Sequence, residues 1–304
     1  MRALLKFCLC VALLVATSKG ILTLGTSSQQ PGADAATVTI SVTGRANNGP
    51  QLTLSDMTLR VDEKLRAVIS CERASSNQPL DLIILIDDAL AKNRVNRWDE
   101  VQDFLRIQPA GVRETIAYAG GKAVTIAQAP TTDHALAANA LVNPMTKSAP
   151  RTVLYESVQN LIDTWPAGSA HRVLIFVTPG FPRDYANTGI KPENSLPLQK
   201  LIEGAQRNGV VLYTIQSTTA LANDPNPLTL LATETGGKAF VTGMEPGPSL
   251  QKFLQEIEHL IEQQYVVSFS VAPDAKSHFA SLRVVPNSRA VELRYPARIY
   301  VTAK

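Results

Sequence analysis

Cysteine is nearly missing from this chain. Three occur in 304 residues, Cys8, Cys10 and Cys71. The first two fall in an N-terminal run expected to be removed, so Cys71 is left alone and an internal disulfide is excluded. Next to Ser70 and near Ile69 it reads as a packed thiol rather than a reactive one. Long apolar runs are equally scarce. Phe7–Ala16 is the one candidate, and it falls short of the ~20 residues a spanning helix needs. Arg2 and Lys6 precede it, and small and polar residues follow it. Residues 1–20 are therefore expected to be a secretory signal peptide, cleaved after Ser18 or Gly20, with no membrane span left behind. An excess of one charge is lacking too. The formal net charge is +3, and Arg2, Lys6 and Lys19 would leave with the signal, so bases and acids balance. A neutral chain carries no electrostatic footprint for nucleic acid.

Catalytic signatures are absent as well. There is no Gly-x-Ser-x-Gly elbow, no His-Glu-x-x-His and no Walker loop. Gly-Gly-Lys occurs at Gly120 and Gly236 without the spacing of a phosphate loop, and reads as a turn and a helix stop. His134, His171, His259 and His278 are scattered and expected at the surface. The chain is not expected to be an enzyme.

What is present is ordered by periodicity. Residues 21–36 are Ser/Gln/Pro/Gly-rich and read as a flexible leader. Val38, Ile40 and Val42 alternate with Thr39 and Ser41 as a half-buried strand does. Leu52 with Leu54, Leu59 with Val61, and Ala67–Cys71 predict further strands. From Leu80 the pattern alternates between apolar strands and amphipathic helices, which argues for a doubly wound α/β sheet. Leu82–Ile86, Val173–Val177 and Val210–Ile215 are the buried strands. Arg113–Tyr118 and Ala123–Ala127 flank Gly120-Gly121 as a hairpin at a sheet edge. Helices are predicted around Leu154–Trp165 with Thr152 as N-cap, after Ser195 as N-cap, and after Ser249 as N-cap. Past Gln264 four short strands follow. The segments 37–73 and 265–304 are each about as short as the ~40 residues below which folds rarely stand alone. They are expected to pair as one β-sandwich, with the α/β domain, residues 80–264, inserted between them.

Leu82–Ala91 reads Leu-Ile-Ile-Leu-Ile-Asp-Asp-Ala-Leu-Ala, a greasy strand running into Asp87. It resembles the first strand and Asp-x-Ser-x-Ser loop of a von Willebrand factor type A domain. Arg151–Tyr155 is similar to that family's Gly-Thr-x-Leu-Tyr helix start, Arg172–Gly180 to its Thr-Asp-Gly strand, and Thr235-Gly236-Gly237 to its Thr-Gly-Gly. Gln51–Lys64 and Ile261–Phe269 resemble the flanks of the acidobacterial VWFA-related family. The resemblance implies a secreted, periplasmic or cell-envelope adhesion-type module that binds a protein partner, not yet identified.

In metal-binding members the resemblance implies an oxygen-rich site for Mg²⁺ or Ca²⁺. Carried across, Asp87 and Thr152 are present, while Ala89, Ala91 and Pro179 replace two serines and an aspartate. The metal site is thus expected to be degenerate and no cofactor required. The alternative is metal-dependent adhesion through Asp87 and Thr152 with substitute ligands; a hydrolase on the doubly wound sheet is a third reading. Asp88, Arg151, Pro179, Phe181 and Asp184 are the candidates for a binding face at the strand tips. Asp88 is expected to point away from Asp87 if strand geometry continues, and a metal-free Asp87 to be met either by backbone N–H groups at the helix start of Thr152 or by Arg151 standing where a cation would.

Overall fold

The computed structural model describes residues 35–44, 51–74, 79–92, 97–120, 123–144, 154–165, 171–182, 191–217, 223–224, 226–242, 249–271, 276–287 and 291–303. The expected signal peptide, most of the leader, Arg151, Thr152 and Asp184 lie outside them.

The chain opens with four strands, β1 (Ala35–Gly44), β2 (Met57–Val61), β3 (Lys64–Arg66) and β4 (Val68–Arg73). The α/β region follows: β5 (Leu80–Asp87), α1 (Trp98–Arg106), β6 (Arg113–Ala119), β7 (Val124–Thr131), α2 (His134–Ala140), α3 (Leu154–Asp163) and β8 (His171–Thr178). It continues through the two-residue β9 (Phe181–Pro182), α4 (Leu196–Asn208), β10 (Val210–Gln216), the short β11 (Asn223–Asp224), α5 (Asn226–Glu234), β12 (Ala239–Val241) and α6 (Gln251–Glu262). Four strands close the chain: β13 (Gln264–Ser270), β14 (His278–Pro286), β15 (Val291–Arg294) and β16 (Arg298–Val301).

The central sheet has the order β12-β10-β8-β5-β6-β7. All its neighbours run parallel except the β6–β7 hairpin at the edge. Every residue of β5 is buried, because helices cover both faces of a parallel sheet and each side chain needs an apolar neighbour. Alternation divides the strand between two cores. Leu82, Ile84 and Ile86 pack under α1, α2 and α6, while Ile83 and Leu85 pack under α3, α4 and α5. Strand order reverses between β5 and β8, and such switch points open a crevice at the strands' C-terminal ends.

The flanking strands form two antiparallel sheets, β15-β1-β13-β4 and β16-β14-β2-β3. Leu59, Val61, Val267, Phe269, Leu282, Val284, Ile299 and Val301 fill the space between them. β13 pairs with both β1 and β4, so the two ends of the chain complete one β-sandwich around the inserted α/β sheet, as the expected fold class had it.

One strand expectation fails. Leu54 belongs to a 3₁₀ turn, Leu54–Asp56. Asp56 accepts from the Thr53 backbone at 2.9 Å and from its hydroxyl at 2.6 Å, and that local capping box outcompetes strand pairing. Cys71 packs against the sandwich core. Burial pushes its thiol up to about 11, which keeps it protonated and unreactive at neutral pH.

Candidate functional site

Asp87 ends β5 at the switch point and is 3 % exposed. A carboxylate so placed must be met by hydrogen bonds, since leaving it unmatched is costly. Ile86 lies beside Val177 of β8, which brings Thr178 next to Asp87. The Thr178 hydroxyl donates to Asp87 Oδ2 at 2.6 Å. The Ala89 backbone N–H donates to Oδ1 at 2.9 Å, closing a turn immediately after the strand. Thr178 is held in turn, its hydroxyl accepting from the Gly180 N–H at 3.1 Å. From β10, the Ser217 N–H donates to Thr178 O at 2.9 Å and the Gln216 amide to Pro179 O at 3.4 Å. The tips of β5, β8 and β10 are thus laced together by polar groups. From sequence, Thr178 is, with Asp88 and Asp184, a neighbour that could stand in for a missing ligand, and Gln216 has no role; that Thr178 bonds Asp87 directly follows from the register across the sheet, which spacing along one strand does not reveal.

The strand geometry on which the Asp88 expectation depends does not continue: the chain enters a 3₁₀ turn, Asp88–Lys92, and Asp88 is 4 % exposed. It lies against Gly120, where an added Cβ would stand 1.7 Å from Asp88 Oδ2; only glycine leaves room for the carboxyl. Burial, and then the charge of Asp87, raise the Asp88 pKa above its ordinary value. Tyr118 braces the same tip, its hydroxyl donating to Val142 O at 2.7 Å and accepting from the Val142 N–H at 2.8 Å. Burial raises its pKa, and Asp88 adds to the shift.

The described groups here offer few free oxygens to a hard divalent cation. Such ions take six or more oxygens in a defined shell. Both Asp87 oxygens already accept hydrogen bonds, Ala89 contributes an N–H rather than an oxygen, and Pro179 has no side-chain lone pair. Among the described residues no group of three or more His, Cys, Asp or Glu converges. Phe181 and Pro182 follow directly and pair with Asp224 and Asn223 in a short antiparallel ladder, which ties the loops after β8 and β10 together. The candidates Asp87, Asp88, Pro179 and Phe181 therefore cluster at one end of the sheet. Arg151, Thr152 and Asp184 are outside the described residues.

Two histidines depart from the surface expectation. His171, the first residue of β8, is 2 % exposed. His134 begins α2 and its Nδ1 lies 3.0 Å from Oε2 of Glu114, a fully buried carboxyl. Burial pushes Glu114 up to about 7, with His134 opposing part of that shift.

No protein-family profile matches the chain, and no curated protein matches it. Solved structures similar to it include the ArnB paralog VWA2 from Sulfolobus acidocaldarius, at 11 % identity and a TM-score of 0.41, covering 90 % of this chain and 76 % of that one. The vWF domain of the type V pili tip protein Mfa5 from Porphyromonas gingivalis is similar at 13 % identity and a TM-score of 0.43, covering 60 % and 95 %. The human COPII-coat protein Sec24c is similar at 11 % identity and a TM-score of 0.41; the match covers 75 % of this chain and 44 % of that one. The fold assignment rests on the strand order and layers described above.

Proposed function

We propose that this chain is a secreted, non-enzymatic protein-interaction module whose partner docks on the tips of β5, β8 and β10 without a bridging divalent cation. The observation that carries this reading is the closure of Asp87 by the Thr178 hydroxyl and the Ala89 N–H. A carboxylate whose two oxygens are engaged inside the protein organises the loops around it rather than waiting for a metal. The sequence resemblance to type A domains supports an adhesion-type role, and the balanced charge supports a protein rather than a nucleic-acid partner.

Calorimetric titration of the mature protein with Mg²⁺, Ca²⁺ and Mn²⁺ is the direct test, with capture of partners from the secreted fraction run with and without chelator. The expected result is no saturable metal heat and unchanged capture in chelator. Micromolar affinity for any of the three ions, or capture lost on chelation, overturns the proposal. Within the same assay, Phe181→Asp should weaken capture while leaving the thermal midpoint unchanged.

A further inference from the structure

The opposite end of the sheet holds a cavity of about 210 Å³. It lies where β5, β6 and β8 begin, beneath the last turns of α6. Leu80 on its wall and Asp87 bound β5, so the two ends are about 23 Å apart at ~3.3 Å per residue. Pro79, Leu80, Val112 and Ile261 supply apolar walls. At ~30 Å³ per water, the space corresponds to about seven waters, which is room for a small organic molecule.

The residues with polar side chains on the lining of this cavity are His171, Gln108, Glu258 and Glu262. His171 meets the Gln264 amide oxygen through Nε2. The Gln264 amide nitrogen is used on the Tyr213 hydroxyl at 2.9 Å. An amide oxygen only accepts, so His171 Nε2 carries the proton and Nδ1 is left as an acceptor. Burial lowers the His171 pKa, which keeps the ring neutral and that acceptor open. Gln108 donates through its amide nitrogen to Phe104 O at 3.0 Å, leaving its oxygen. Glu258 and Glu262 stand one turn apart on α6. Neither forms an ion pair with a described residue. Burial raises the Glu258 pKa, and Glu262 raises it further: the two carboxylates repel each other with no cation between them.

The lining therefore offers acceptors and negative charge beside an apolar floor, and no Lys or Arg appears among its described residues. We infer that this cavity binds a small organic ammonium, its compact apolar body against Leu80, Val112 and Ile261 and its –NH₃⁺ held by His171 Nδ1 and the Glu258 and Glu262 carboxylates. An ammonium has three donors and no acceptor, which matches this set. A neutral hydroxyl satisfies less of it, and a carboxylate ligand is repelled.

The experiment uses the full mature chain and three probes of one shape: benzylamine, benzyl alcohol and phenylacetate. Calorimetry gives affinities and ¹⁵N-resolved NMR gives location. Benzylamine should bind roughly tenfold or more tightly than benzyl alcohol, and phenylacetate not detectably. Amide shifts should cluster at Leu80, Val112 and Ile261. The double variant Glu258→Gln with Glu262→Gln changes partly exposed helix positions and should keep the native thermal midpoint. It should cut benzylamine affinity about tenfold and leave benzyl alcohol unchanged. Equal binding of amine and alcohol overturns the inference. So do benzylamine affinity that survives the double variant, shifts mapping to another surface, or no benzylamine binding at millimolar concentration.

Discussion

A single threonine hydroxyl joins the tips of two neighbouring strands. Thr178 both donates to Asp87 and accepts from Gly180, so its loss removes two bonds and leaves a buried carboxylate oxygen short of a donor. Thr178→Val, nearly isosteric, should cost about 1.5–3 kcal/mol in urea denaturation at pH 7, the range for hydrogen bonds to charged groups. A cost below ~0.5 kcal/mol would show that the hydroxyl is not what holds Asp87. Glu114 predicts a pH dependence. Its folded pKa, about 7, stands above the ordinary 4.5, so between those values the folded protein holds a proton that the unfolded chain has released. The contribution of this group is fully present below about pH 4.5 and is lost as pH rises through about 7. The loss is on the order of 2–3 kcal/mol. Glu114→Gln stays neutral and should flatten that slope when denaturation is compared at pH 5 and pH 8. Identical slopes in both proteins would remove Glu114 as the cause. Asp87 stood out in the sequence as a charge closing a run of apolar residues; the pairings of Thr178, Glu114 and His171 did not. Their partners lie 91, 20 and 93 residues away, and no local pattern announces such pairings.

Helices were legible where their stripes were strong. Leu254, Ile257, Leu260 and Ile261 mark the buried face of α6, the face that periodicity along the chain exposes. Its cap was not. Ser249 is the local candidate, and its hydroxyl does accept from the Gln251 N–H at 3.2 Å. The stronger acceptor is Glu100 of α1, whose Oε2 takes the Leu250 and Gln251 N–H groups at 2.5 and 3.0 Å. A carboxylate at a helix N-terminus satisfies orphan donors and complements the helix dipole. Ser195 likewise stands at the N-cap of α4 without a side-chain capping bond. Glu100→Ala should therefore destabilise by about 1–2 kcal/mol, against ~0.5 kcal/mol or less for Ser249→Ala. Equal costs in chemical denaturation would return the cap to the serine. Gly237 shows a different constraint. An added Cβ there would stand 1.8 Å from Leu212 O, so the second glycine of Thr235-Gly236-Gly237 lets the chain cross β10 in close contact.

At the scale of the molecule, the sandwich and the α/β sheet share an interface as well as a chain. Arg207 of α4 lies over the rings of Tyr300 and Phe279, 5.0 and 5.6 Å from their centroids. The Arg298 guanidinium stacks on Phe279 at 5.2 Å and reaches Glu203 at 3.5 Å. The Ala297 N–H donates to Glu234 O at 3.1 Å, and Thr235 bridges to Pro296. Both tryptophans, Trp98 and Trp165, belong to the α/β cores, while Val267 and Leu282 belong to the sandwich. Arg207→Ala removes the stacked cation and should cost ~0.5–2 kcal/mol. It should also separate the unfolding of the α/β cores, followed by tryptophan fluorescence, from that of the sandwich, followed by the NMR signals of Val267 and Leu282. Transitions that remain coincident would mean that β13, running straight from α6, couples the two parts without this contact.

By itself the sequence determined the alternation of buried strands and amphipathic helices apart from α2, the insertion of an α/β sheet between two β flanks, and the position of Asp87. Each of these follows from periodicity, which is local and survives in one dimension. Tertiary structure alone decided what Asp87 does. It set Thr178 beside it across the sheet, turned Asp88 inward against Gly120, and brought Glu100 to a helix 150 residues away. It also gathered His171, Glu258 and Glu262 around one cavity at the far end of the sheet. Those outcomes depend on burial and register, which set the cost of every unmet polar group and exist only once the layers have closed.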